Sequence, residues 1–212
     1  MSRIAVTVTL LLAFVAVVLG AFIYSVTREP VLSDEELKER GVFVLPTPRE
    51  IVDVDMVTHT GEPFTEADLE GDWSFLFFGF TNCPDICPTS MAVMAQAEQV
   101  LEEESPERAD AFQGILVSVD PERDDQQTLA RYVRAFSEDF MGVRGSIEET
   151  AEFATQVNVA FAKVPSEDGE YEVDHTGNII IVNPRGHYHG FIRMPHEAET
   201  IVSAFRSLEA RF

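Results

Sequence analysis

Apolar and polar positions divide this chain near residue 28. From Ile4 to Thr27 no side chain carries a charge. As an α-helix, at about 1.5 Å per residue, this run spans roughly 36 Å, more than a hydrocarbon core of about 30 Å. Gly20-Ala21 resembles a signal-peptide cleavage site, but apolar character continues through Phe22, Ile23, Tyr24 and Val26. A signal peptide has a shorter apolar centre, so residues 1–27 are expected to be an uncleaved membrane anchor with a short cytoplasmic start. Residues 28–49 are polar, carry Pro30, Pro46 and Pro48, and read as a tether. A short helix at Ser33–Arg40 is suggested within it by a serine cap followed by acids.

After residue 50 the pattern alternates between strand and helix. Val52–Val57 alternates with period two, and Thr65–Leu69 reads as a short helical turn. Trp73–Phe80 is almost continuously apolar, as a central strand covered on both faces must be. Helices are predicted at Pro88–Glu104, Asp124–Phe136, Ser146–Val157 and Glu197–Leu208, the third with a capping box of Ser146 and Glu149. Strands are predicted at Phe112–Val119, Phe140–Val143, Ala160–Val164 and Tyr171–Val173. A closing hairpin is predicted from Asn178–Val182 and His187–Arg193, turning at Pro184-Arg185-Gly186. This alternation, ending in an antiparallel pair, predicts a single α/β domain over 50–212: a three-layer sandwich with a mixed central sheet.

Charge narrows the partners. The net charge is -22, from 37 acids and 15 bases, and Lys38 and Lys163 are the only lysines. Such a surface repels phosphate backbones, so no nucleic acid is expected as a partner. Arg3 precedes the apolar run, while Arg28 after it is followed by Glu29, Asp34, Glu35 and Glu36. The positive-inside rule then favours a cytoplasmic amino terminus and an exported domain.

The chemistry lies in Cys83-Pro84-Asp85-Ile86-Cys87-Pro88, which holds the only two cysteines and follows the buried strand directly. A strand running into such a turn and then a helix puts both sulfurs at a helix N-terminus, where the dipole favours thiolate. In a helix-like turn the two Cα atoms are about 6 Å apart, so the pair can be a dithiol ligand or a disulfide. A bridge this local removes little unfolded-chain entropy, which argues against a purely structural role. Among five histidines, His175 stands out because Asp174-His175-Thr176-Gly177 leads into the apolar strand Asn178–Val182. Asp174 is a candidate for orienting its ring, and Asp85 lies between the cysteines. His187 and His189 share a strand face and read as hairpin surface residues or a weak metal pair. His59 and His196 read as solvated polar residues.

Phe77-Phe78-Gly79-Phe80-Thr81-Asn82-Cys83-Pro84-Asp85-Ile86-Cys87-Pro88, then Val119-Asp120-Pro121-Glu122-Arg123-Asp124, then Asp174-His175-Thr176, closely resembles the Sco/SenC family of copper-binding, membrane-tethered, thioredoxin-like proteins. The resemblance runs from about Ile51 to the C-terminus and includes the leading anchor. It implies a thioredoxin-like fold with an inserted hairpin, preceded by an N-terminal transmembrane helix. It also implies one copper ion, Cu(I) or Cu(II), held by Cys83, Cys87 and His175, with Asp85 and Asp174 close by.

The implied function is copper delivery to the dinuclear copper centre of cytochrome c oxidase subunit II, from a single-pass position in a bacterial inner membrane with the domain in the periplasm. A thiol reductant of thioredoxin type is an implied partner, since an oxidising compartment drives the pair to a disulfide. The alternative is a thiol–disulfide oxidoreductase in which Cys83 and Cys87 form the redox pair. Asp85 weighs against that alternative, because a neighbouring carboxylate opposes thiol ionisation.

Overall fold

A computed structural model describes residues 3–27, 30–165 and 171–212. It divides into two compact units, Met1–Val31 and Leu32–Phe212. In the first, helix α1 covers Arg3–Thr27, 25 residues, and its described apolar side chains are exposed. Side chains are described at residue 4 and over residues 6–22, and among the described residues no helix is long and apolar enough to cross a membrane. The expected transmembrane helix is thus met as a helix, and not as a demonstrated span.

The second unit is built on an eight-stranded sheet. Its elements are α2 (Asp34–Glu39), β1 (Val42–Glu50), β2 (Met56–Thr58), β3 (Pro63–Phe64), a 3-10 turn (Glu66–Leu69), β4 (Trp73–Gly79), α3 (Ile86–Glu104), α4 (Pro106–Asp110), β5 (Phe112–Ser118), α5 (Gln126–Arg134), β6 (Met141–Arg144), α6 (Ile147–Gln156), β7 (Phe161–Pro165), β8 (Tyr171–His175), β9 (Ile179–Asn183), β10 (His187–Ile192) and α7 (Ala198–Glu209). The strand order is β1-β10-β9-β4-β5-β6-β2-β3. β4 pairs in parallel with β5, and β5 with β6, while every other pairing is antiparallel, so the sheet is mixed as predicted. Every residue of β4 and β9 is buried, which requires cover on both faces of the sheet. β7 and β8 form a separate two-stranded ribbon.

The tether prediction is corrected. Residues 34–50 fold into the domain as α2 and β1, with Leu37 and Val42 fully buried. Ser33 caps α2 reciprocally with Glu36, as the spacing suggests. β1 joins the sheet edge against β10, its register slipping between Val44 and Arg49. Pro46 and Pro48 fall in that slipped stretch, and prolines are tolerated on an edge strand, where a missing ladder donor costs least. Val52–Val57 correspondingly contributes only the short strand at Met56–Thr58.

The β9–β10 hairpin turns at Gly186, whose φ of +72° favours glycine, and its N–H donates to the Asn183 carbonyl at 2.9 Å. Opposite the edge strand, a Cβ on Gly190 would collide with the Phe43 carbonyl oxygen. Gly190→Ala is therefore expected to pry β1 off the sheet and destabilise the domain by about 1–3 kcal/mol. Thermal unfolding at the wild-type midpoint would contradict that tight approach.

Candidate metal centre

β4 ends at Gly79, and the chain turns through Phe80–Asp85 before α3 begins at Ile86. Cys83 therefore lies in the turn and Cys87 in the first helical turn. The Cys83 sulfur accepts the Cys87 backbone N–H at 3.4 Å, which places it against the helix N-terminus. Cys87 points inward and is fully buried, while Cys83 is half-buried; both are free thiols. Room for the inner sulfur comes from Gly79. A Cβ there would sit 3.0 Å from Cys87 Sγ and 2.9 Å from the Phe77 ring.

His175 ends β8, and its Nε2 lies 3.5 Å from Cys87 Sγ. The Phe77 and Phe80 rings meet it edge-on, with centroids 5.7 and 5.9 Å away, and fix the imidazole plane. Nδ1 is 3.3 Å from the Thr176 carbonyl oxygen. With Nδ1–H donating there, Nε2 presents its lone pair toward the sulfurs. The orienting role expected of Asp174 is corrected. Asp174 is exposed, and the Thr176 carbonyl stands at the nitrogen instead, so Asp174 acts on His175 only through its charge.

The three ligand atoms lie within 4.8 Å of one another, and among the described residues they are the only such histidine, cysteine or carboxylate group. Metal–sulfur bonds of about 2.3 Å put two ligands of a trigonal site about 4 Å apart, so the set closes on one ion with sub-ångström shifts. Cys83 and His175 line a cleft of about 600 Å³, together with Asp85 and Asp174, while Cys87 lies buried beneath it.

The electrostatics differ from the sequence reading in one respect. Burial pushes the Cys87 thiol far up, and the hydrogen bond with Cys83 adds to this. The helix N-terminus thus does not leave Cys87 a thiolate in the metal-free fold; burial outweighs the dipole. Burial also lowers the pKa of His175 from its usual value, partly offset by the Thr176 carbonyl and the Asp174 charge, which favours the neutral imidazole that a metal needs.

Residues 120–124 hold both ligand-bearing segments. Asp124 is fully buried and accepts hydrogen bonds from the Thr81 N–H, from Thr81 Oγ1 at 2.6 Å and from Ser118 Oγ at 2.6 Å. It thereby fixes the turn two residues before Cys83. Asp120, also fully buried, accepts from Arg123 Nε and from Tyr171 Oη, the latter at 2.8 Å. Arg123 Nη1 donates to the Tyr171 carbonyl at 3.2 Å, and its guanidinium stacks 4.1 Å over the Tyr171 ring. Tyr171 begins the strand that His175 ends, so this clasp positions the ribbon.

Residue spacing points to none of Gly79, Phe77, Phe80 and Tyr171, nor to the roles of Asp120, Arg123 and Asp124. The signals visible in the chain are a glycine inside an apolar strand and two acids next to a proline turn. The remaining histidines with described contacts are not in the three-ligand group, and each has a partner at Nδ1. His59 Nδ1 accepts the Gly142 N–H at 3.1 Å, His189 Nδ1 is 3.0 Å from Asn183 Nδ2, and His196 Nδ1 is 3.0 Å from Ser90 Oγ. His59 and His196 are thus structural rather than solvated.

Gly79→Ala should displace Cys87 Sγ or the Phe77 ring. The expected result is a destabilisation of about 1–3 kcal/mol, together with weakened metal uptake. Wild-type metal binding in that variant would show that the strand does not set the sulfur position.

A family model described as SCO1/SenC matches residues 47–209. A Stutzerimonas stutzeri protein described as a candidate copper binder is 35% identical over 159 residues, 75% of this chain and 76% of that protein. The mouse protein named SCO2 homolog, mitochondrial, is 37% identical over 76% of this chain, which spans 62% of that protein's length. Arabidopsis thaliana ScoI, solved with copper bound, superposes with a TM-score of 0.68 at 30% identity, covering 77% of this chain and 98% of that one. The mixed α/β fold is shared with that structure, and on the strength of the family match this chain belongs to the SCO1/SenC family.

Proposed function

We propose that this protein is a membrane-anchored copper chaperone that delivers one copper ion, as Cu(I) or Cu(II), to the dinuclear copper centre of cytochrome c oxidase subunit II during oxidase assembly. The observation that carries this reading is the convergence of Cys83, Cys87 and His175 to within 4.8 Å. Two soft sulfurs and a neutral imidazole suit copper, and Cu(I) above all, because it accepts a low coordination number. Zinc in a structural site prefers four ligands, and no fourth histidine, cysteine or carboxylate joins the group among the described residues.

A half-buried Cys83 at the mouth of an open cleft suits transfer, since an acceptor's ligand can enter there while Cys87 still holds the ion. Family membership supports the oxidase connection. The fold neighbour BsSco is described as a member of the Sco family of cytochrome c oxidase assembly proteins. The 25-residue helix Arg3–Thr27, uncharged beyond Arg3, supports a single-pass anchor in a bacterial inner membrane, with the copper domain on the periplasmic side. A thioredoxin-type reductant would keep the two sulfurs reduced there.

One observation favours a second reading, a thiol–disulfide oxidoreductase acting on the oxidase subunit's cysteines. Cys83 is accessible while Cys87 lies directly behind it, the arrangement of an attacking and a resolving thiol. Against it stands the protonated state that burial imposes on Cys87.

Reduced protein is expected to take up one copper per chain, with thiolate charge-transfer absorption in the Cu(II) form. His175→Ala should weaken binding at least tenfold, roughly the loss of one good ligand contact. Unchanged stoichiometry and affinity in that variant would remove His175 from the site. Loading must also displace the Cys87 proton, so apparent affinity should rise with pH by about tenfold per unit for each proton released. His175 adds protonation only on the acid side, because its folded pKa is lowered. A flat affinity profile from pH 5 to 8 would contradict these ligands.

A further inference from the structure

The ribbon that carries His175 leaves one strand edge unpaired beside the metal centre. β7 and β8 run antiparallel in unbroken register, from Phe161 opposite His175 to Pro165 opposite Tyr171, and among the described residues they pair with no other strand. In such a ladder, opposed pairs alternate between those that exchange hydrogen bonds and those whose N–H and C=O groups point away. The Thr176 N–H donates to the Ala160 carbonyl at 2.9 Å, so the bonded pairs are Ala162 with Asp174 and Val164 with Glu172. Tyr171, Val173 and His175 then direct their backbone groups outward. Two observations agree with this phase. Arg123 Nη1 donates to the Tyr171 carbonyl at 3.2 Å from outside the ribbon, and Pro165, which has no N–H to give, falls at an outward position.

Arg123, Tyr171, Val173 and His175 all line the cleft of about 600 Å³, together with the turn that holds Cys83. The outward edge of β8 thus borders that cleft. No other described group takes the Val173 or His175 backbone groups. An unpaired strand edge is a template for a further strand. Residues directly opposite each other in a sheet share a face, with Cβ atoms about 5 Å apart. A strand laid along β8 therefore brings every second side chain onto the face of His175. The intervening ones fall on the face of Glu172 and Asp174. These two carboxylates and Asp85 are exposed, whereas Arg123 is paired with the buried Asp120, so the cleft presents unpaired charge of one sign.

We propose that the copper acceptor docks by adding an extended segment antiparallel to the β8 edge, with a cysteine on the face of His175 and basic residues at the alternate positions. This inference rests on the copper reading above and adds to it the mode of docking. Backbone hydrogen bonds to Val173 and His175 supply affinity, and alternate side chains supply selectivity. Docking places the incoming sulfur beside the ion. Its S–H bond then breaks, the proton leaves to solvent, and an S–Cu bond forms as the bond from Cys83 breaks; no electron moves.

The probe is the capped pentapeptide Thr-Lys-Cys-Lys-Thr, offered without oxygen to the full chain loaded with Cu(I). It is expected to bind and to slow hydrogen exchange at the Val173 N–H. Two further forms carry N-methyl groups at the odd or at the even positions. A strand gives only alternate N–H groups to its neighbour, and the antiparallel phase with the cysteine on the face of His175 uses the odd set. The odd form should bind about tenfold more weakly and the even form like the unmodified peptide. Equal binding by both methylated forms, equal loss in both, loss only in the even form, or unchanged exchange at Val173 would each overturn the proposal. Replacing the peptide's cysteine by serine should weaken binding to the loaded protein but still protect Val173 in the metal-free one, and absent protection there would overturn strand addition. Protein that takes up no copper would bring down the copper reading and with it the acceptor. That failure is distinguishable, because the serine peptide on metal-free protein reports on the edge alone.

Discussion

Two fully buried carboxylates on one five-residue turn hold the candidate metal centre together. Asp124 fixes the backbone ahead of Cys83 through Thr81, and Asp120 fixes the ribbon of His175 through Tyr171 and Arg123. Burying a carboxylate is costly unless its charge is met by donors, and here each has them. The arrangement makes the geometry of the ligands depend on a segment that supplies none of them. It also explains how a histidine 88 positions after Cys87 in the chain comes to lie 3.5 Å from its sulfur.

The centre is preorganised in position and not in charge. Cys87 is packed into the space left by Gly79 and is held as a thiol by burial, while His175 is held neutral between two aromatic rings. A cation that replaces the thiol proton relieves the burial cost at that sulfur, because the thiolate is then paired at bonding distance. Metal capture and proton release are therefore coupled by the depth of one sulfur in the fold. The other sulfur, at the cleft mouth, stays within reach of a partner.

Much of the architecture was legible because the relevant signals are local. Continuous apolar runs marked β4, β5 and β9, capping residues marked α2 and α6, and turn residues marked the β9–β10 hairpin. β1 was missed because its partner is far away in sequence and its own prolines and polar residues imitate a linker. The orienting role assigned to Asp174 was misplaced because adjacency in the chain says nothing about direction across a strand end. Thr176, one residue beyond His175, supplies the carbonyl instead.

The amino-acid sequence on its own determined the ligand types, their order and the kind of fold that carries them. Sulfur and imidazole chemistry belongs to the residues, and strand and helix periods repeat within a few positions. Tertiary structure alone decided which sulfur is buried, which nitrogen faces it and what holds the ribbon in place. Those depend on the close approach of Cys87 and Phe77 that Gly79 allows, on two aromatic rings and on the Asp120–Tyr171–Arg123 clasp, whose members meet only when distant segments pack. Protonation state follows burial, and burial is a property of the whole fold.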